Sequence, residues 1–166
     1  QISLDSIKKI ELIGGYFIPT LKEIVDIIPE KIFLNIELKG QDTAFETNKI
    51  IINYLNTYNF PISKFIISSF RWDELKKIRS FNKDIPIAIL VDSLYKIDDA
   101  IKLAKQINAF ALNPNNEFIT KDIVNKIQSK NIKVYPYTIN TPRNIRKMRS
   151  MGVDAIITDY PERIKR

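Results

Sequence analysis

The sequence predicts an α/β fold with parallel strands. Six short apolar runs alternate with longer segments of helical spacing, and each run is apolar enough to be buried on both faces of a sheet. Independent helix-start signals fall between the runs. Strict alternation of strand and helix implies parallel strands joined by right-handed crossovers.

The first element is a helix over about Leu21–Ile28, opened by Thr20-Leu21-Lys22-Glu23. This is a capping box, in which two side chains satisfy amide donors left free at the helix start. Strands are expected at Ile32–Leu38, Phe65–Phe70, Ile85–Val91, Ala109–Asn113, Val134–Ile139 and Ala155–Thr158. A second capping box, Thr43-Ala44-Phe45-Glu46, opens a helix marked by Ile50, Tyr54 and Leu55, and Ile123 and Ile127 mark a later one. Thr141-Pro142 sets a capping hydroxyl before a proline at the first helical position. Gly152 stands where a left-handed residue would end that helix. Two architectures fit this order. Six strands suit a doubly wound open sheet, whereas a (β/α)8 barrel would lack two. Gly14-Gly15 precedes a helix and forms no G-x-G-x-x-G link from strand to helix, which disfavours a dinucleotide fold in a chain with 4 glycines.

Composition narrows the function classes. The 166 residues fit one domain, 1–166, and 45% hydrophobic with 27% charged residues is the mix of a globular protein. There are no cysteines, so disulfides and thiolate metal sites are excluded. That absence fits a reducing compartment, and a cytoplasmic location is expected. The net charge of +7 comes from lysines and arginines dispersed along the chain, mostly in pairs such as Lys8-Lys9 and Lys76-Lys77. This spread describes solvated helix faces, with no nucleic-acid-binding motif. A modest positive field would still favour an anionic phosphodiester. No apolar stretch approaches the ~20 residues of a membrane span, and no signal peptide stands at the N-terminus. The chain begins on Gln1, without a methionine, inside a stretch that reads as a helix.

The segment Ile32–Gly40 carries the chemical signal. Leu34, Ile36 and Leu38 share one strand face, while Asn35, Glu37 and Lys39 share the other. On an interior strand, three polar residues in line are costly unless they pair with one another, a metal or a ligand. In a barrel they would point inward at the C-terminal strand ends, where active sites of that fold lie. An edge strand with an ordinary Glu–Lys pair fits the same spacing.

Four blocks then resemble one family. Ile18-Pro19-Thr20-Leu21-Lys22-Glu23, followed by Leu34-Asn35-Ile36-Glu37-Leu38-Lys39-Gly40, is similar to the "P-T-L-x-E … l-N-I-E-L-K" block of glycerophosphodiester phosphodiesterases. Ile66-Ile67-Ser68-Ser69-Phe70 with Leu75 resembles their "S-S-F … L" segment, and Tyr137-Thr138-Ile139-Asn140 their "W-T-V-N" strand end. Gly152–Pro161 resembles their closing "G-v-D-g-i-i-T-D-x-P". The blocks keep the family's order over nearly the whole chain. The resemblance implies a (β/α)8 barrel of the phospholipase C-like kind, incomplete here, with the six runs as strands three to eight.

It also implies a hydrolase cleaving glycerophosphodiesters to glycerol 3-phosphate and an alcohol, with Ca²⁺ or Mg²⁺ and two histidines, in glycerophospholipid catabolism. Glu37 matches the family's third metal-ligand carboxylate. Lys39 matches the catalytic lysine placed against the phosphate, and Tyr137 stands where the family has a tryptophan at the substrate. Ser69 and Asn140 are candidate substrate contacts, although Ser68, Ser69, Asn140 and Asp159 read equally as residues that fix strand ends and loops. Arg71 and Trp72 are placed to reach a ligand or to pack at the surface. The family's His-Arg pair on strand one, its Glu-x-Asp on strand two and its second histidine have no match, and the chain contains no histidine at all. This chain alone is therefore expected to be inactive and not to retain the cation. The alternative is a truncated or degenerate barrel serving as a binding or interaction module, with self-association through open barrel edges. A related lipid-cleaving phosphodiesterase barrel is a further alternative.

Overall fold

The computed structural model describes residues 2–29, 31–58 and 60–164. Gln1, assigned to a helix from sequence, lies outside them. The first elements are α1 (Leu4–Lys8) and a hairpin of β1 (Glu11–Leu12) and β2 (Tyr16–Phe17). Gly14 and Gly15 turn this hairpin at φ +93° and +78°, a conformation that costs little only without a Cβ. α2 (Leu21–Ile27) follows, and its capping box forms in full: Glu23 N–H donates to Thr20 Oγ1 at 3.2 Å and Thr20 N–H to Glu23 Oε2 at 2.6 Å.

Then β3 (Leu34–Glu37), α3 (Ala44–Tyr58), β4 (Phe65–Ser69), α4 (Trp72–Phe81), β5 (Ile87–Val91), α5 (Ile97–Gln106), β6 (Ala111–Pro114), α6 (Lys121–Gln128), β7 (Lys133–Val134) and α7 (Pro142–Met151) alternate along the chain. β3 to β7 form one parallel five-stranded sheet in the order of the sequence. A doubly wound sheet reverses its strand order at a switch point. Here no reversal occurs, so right-handed crossovers stack every helix on the same face, as in a (β/α)8 barrel. That decides between the two architectures left open by the strand pattern.

Register separates the two faces. Ile36, Ile67 and Ile87 stand in line across β3, β4 and β5, and Ser69, Ile89, Leu112 and Val134 form the next such line. The isoleucines, Leu112 and Val134 belong to the core, packed with Leu75 and Ile78 of α4 and Val124 and Ile127 of α6. Each such side chain contributes about 1.5–3 kcal/mol by leaving water. The other face carries Glu37, Ser68, Ala88 and Ala111 in line. It is the concave, inward face of the arc.

Two expectations need correction. Ala155–Thr158 forms no strand. The segment does run beside β7, with Ile157 N–H donating to Pro136 O at 2.9 Å and Ile139 N–H to Ile157 O at 2.8 Å. Pro136 has no N–H to give a ladder. The return bond comes from Ile139 rather than Thr138, one residue beyond regular parallel register. The same interruption shortens the run Val134–Ile139 to β7 and a single bridge, Asn115 to Tyr137. The second correction concerns the start of α3. Thr43 Oγ1 donates to Gly40 O at 3.0 Å and Glu46 pairs with Lys49, so the expected capping box gives way to a distant carboxylate. Glu74 of α4, fully buried, accepts from Ala44 N–H at 2.9 Å and Asp42 N–H at 3.0 Å. By contrast α7 begins and ends as its sequence requires: Thr141 accepts from Asn144 N–H, Pro142 opens the helix, and Gly152 closes it at φ +73°.

Candidate active site

The C-terminal ends of parallel strands gather side chains from separated parts of the chain, and here that end carries the polar residues. Alternation along β3 turns Leu34 and Ile36 toward the helices and Asn35 and Glu37 away from them. Glu37 is the last residue of the strand, about one-third exposed at 32%, and its Oε2 lies 3.8 Å from Lys39 Nζ. Lys39 projects into solvent with 80% of its side chain exposed, so its ammonium is free to swing onto an anion.

Tyr137 reaches the same rim from beyond β7. Its hydroxyl donates to Val91 O at 3.1 Å, and its ring packs edge-to-face on Phe70 with centroids 5.7 Å apart. Burial, reinforced by the negative charges of Asp92, Glu37 and Glu117, pushes its phenol up to about 12. Tyr137 is therefore a neutral hydrogen-bonding ring at physiological pH.

Ser69 and Asn140 occupy different surroundings. Ser69 lies in line with Ile89 on the helix side of the sheet; its hydroxyl donates to Leu38 O at 2.5 Å and accepts from Arg71 N–H at 2.8 Å. It ties the end of β3 to the end of β4. The Asn140 amide donates to Asp159 Oδ2 at 2.7 Å, while its Oδ1 accepts from Asp159 N–H and Thr158 Oγ1. Arg163 closes on the Asn140 carbonyl at 2.7 Å. Those bonds hold the terminal loop in place.

Ser68, weighed from sequence beside Ser69, faces inward, and two further inward groups, Asn113 and Asp92, escaped the sequence reading. Ser68 and Asn113, 1% and 2% exposed, each carry a buried oxygen with no hydrogen-bond partner among the described residues. Interiors seldom leave such atoms unpaired unless water, an ion or a ligand supplies the bond. Asp92 follows β5 directly and binds Lys96 at 2.9 Å, which holds its carboxyl below the usual range. A carboxylate immediately after a predicted parallel strand is a readable signal, as is an asparagine at the last position of the Ala109–Asn113 run.

Among the described residues, no three His, Cys, Asp or Glu side chains come together as metal ligands. Glu37 is a single carboxylate with an ammonium beside it, whereas a hard cation takes about six oxygens or more. This donor set does not fit a tightly held Ca²⁺ or Mg²⁺.

The family model described as the glycerophosphoryl diester phosphodiesterase family matches residues 1–163. A glycerophosphodiester phosphodiesterase of Caldanaerobacter subterraneus is 29% identical over 98% of this chain and 69% of its own length. One from Bacillus altitudinis is 27% identical over 90% of this chain and 62% of its own. The chain thus spans about 50 to 70% of the length of the curated relatives it matches. Among solved structures, a glycerophosphodiester phosphodiesterase of Parabacteroides distasonis superposes with TM-score 0.78 at 21% identity, covering 98% of this chain and 68% of that one. An Oleispira antarctica phosphodiesterase in complex with the product sn-glycerol-3-phosphate gives TM-score 0.76 at 25% identity, covering 89% and 60%.

Proposed function

The chain belongs to the glycerophosphoryl diester phosphodiesterase family, and from that premise we propose that it supplies part of an active site for metal-dependent hydrolysis of glycerophosphodiesters to glycerol 3-phosphate and an alcohol. The observation that carries this reading is the placement of Glu37 and Lys39 together at the C-terminal end of β3. In it, the Lys39 ammonium stabilises negative charge on the phosphoryl oxygens. Glu37 would supply one carboxylate to the divalent cation. Tyr137 offers a neutral aromatic face to the substrate, with Asn140 at the neighbouring loop and Ser69 holding the strand ends from behind.

By itself the 166-residue chain is inactive in this account. It has no histidine, and paired acid–base catalysis is worth about 10²–10⁴-fold. A single carboxylate will not retain the cation. The purified chain, incubated with glycerophosphocholine and millimolar Ca²⁺ or Mg²⁺, is expected to release no glycerol 3-phosphate above background. Metal-dependent release by the chain alone would refute that.

A second reading, an interaction module, is favoured by the outer edge of β3, which pairs with no strand among the described residues and has Ile32 and Phe33 exposed beside it. Such an edge is a template for another strand. Sedimentation velocity is expected to show a mean mass that rises with protein concentration; a monomer throughout would count against this reading.

A further inference from the structure

The outer edge of β3 is complementary to itself. Leu38 N–H donates to Ser68 O at 2.8 Å on β4. Main-chain groups of alternate residues point to alternate sides of a strand, so Leu34, Ile36 and Leu38 spend theirs on β4. The N–H and C=O groups of Asn35 and Glu37 are left at the outer edge, which no strand among the described residues covers. We propose that this edge binds a second copy of the chain, as an antiparallel β3–β3 pair whose two-fold axis passes through Ile36. The proposal rests on the reading of the chain as an interaction module, and it names the partner and the register of that edge.

Register and charge carry it. A two-fold axis normal to the sheet continues the concave face of one copy into that of the other only if opposed residues share a face. The axis therefore falls on a residue and not between two. With Ile36 on the axis, Asn35 lies opposite Glu37 of the second copy, and each such pair exchanges both of its free N–H···O bonds. Their side chains, an amide and a carboxylate, meet on the concave side. One pair further out, Phe33, 72% exposed, faces Lys39, whose side chain is 80% exposed, and an ammonium is drawn to an aromatic face. On the helix side Leu34 meets Leu38, and Ile36 meets its own copy, which extends the core line across the seam. The neighbouring registers lack this match. An axis on Glu37 sets the two Glu37 carboxylates directly opposite, and an axis on Asn35 brings Lys31 toward Lys39. Like charges in such positions destabilise a strand pair. The Ile36 register opposes no like charges from Ile32 to Gly40.

The chain has no cysteine, so single introduced thiols report the register without background. Directly opposed Cα atoms of a non-hydrogen-bonded pair lie about 4.5 Å apart, and a disulfide spans about 4.4–6.8 Å. At concentrations where sedimentation shows association, Ile36→Cys is expected to form a disulfide-linked dimer on oxidation with diamide. Asn35→Cys alone and Glu37→Cys alone are expected to stay unlinked, because each thiol lies about 7–8 Å from its own copy. Mixed together, those two variants are expected to link to each other. Circular dichroism establishes that each variant is folded, and the mixed pair decides the register even if Ile36→Cys misfolds. Linkage of Asn35→Cys or Glu37→Cys alone as fast as that of Ile36→Cys would overturn the proposal. A chain that stays monomeric sinks the interaction module and this proposal with it; association without the Ile36→Cys and mixed-pair links sinks this proposal alone.

Discussion

Replacing Glu74 by alanine is expected to lower the unfolding free energy by about 3–4 kcal/mol, a large part of the ~5–15 kcal/mol that holds a domain together. Its carboxylate is fully buried, accepts the Ala44 and Asp42 amides that α3 cannot satisfy internally, and binds Lys77 at 2.8 Å. Lys77 in turn bridges to Asp42 at 2.6 Å. Alanine would leave the buried Ala44 amide and the partly buried Asp42 amide unpaired, strand one side of the Lys77 bridge and open a small cavity between α3 and α4. Glutamine keeps an acceptor but not the charge, and is expected to cost about half as much. The pH dependence has a definite sign. Burial alone would raise the Glu74 carboxyl, yet Lys77 and the amides of Ala44 and Asp42 outweigh it and hold the group at about 2, against an ordinary value of 4.5. Because the folded value lies below the unfolded one, the stabilisation is complete above about pH 4.5 and is lost as pH falls toward 2. Urea midpoints of the native chain should therefore drop through that window, and those of Glu74→Gln should drop less. Equal acid sensitivity in both would contradict the assignment.

The second large effect concerns Lys39. In a barrel completed by joining this chain to the segment of the Caldanaerobacter subterraneus relative that has no counterpart here, Lys39→Ala is expected to lower kcat by about 10²–10³-fold, the usual cost of losing one preorganised donor to developing negative charge. The loss should fall on kcat more than on KM, because the interaction strengthens as charge develops. Lys39→Arg keeps the charge and should retain part of the activity. A variant that binds weakly but turns over at the native rate would reassign Lys39 to ground-state binding.

Much of this arrangement was legible in the residues. Period-two alternation across Leu34–Lys39 puts Glu37 and Lys39 on one face, and the Thr20 and Thr141 caps form as their spacing requires. What stayed hidden depends on contacts distant in sequence. Thr43–Glu46 has every local mark of a capping box, but a carboxylate thirty residues on, at Glu74, reaches the same helix start. Nothing local to Glu74 announces this, since an acid in the first turn of a helix is ordinary. Ala155–Thr158 is apolar enough for a strand, and its ladder fails because the adjacent segment beyond β7 offers Pro136 where a donor is needed. Ser69 reads as a mouth residue from its motif, yet register turns it to the helices, while its neighbour Ser68 faces inward. A one-residue shift decides which of two adjacent serines can meet a ligand.

The most direct test is the release of glycerol 3-phosphate from glycerophosphocholine by that joined barrel, measured beside this chain alone at equal concentration with added Ca²⁺ or Mg²⁺. The predicted result is release by the joined barrel, its loss on Glu37→Gln, and none from the chain alone. Release by the chain alone, or release from the joined barrel unchanged by Glu37→Gln, would contradict the account.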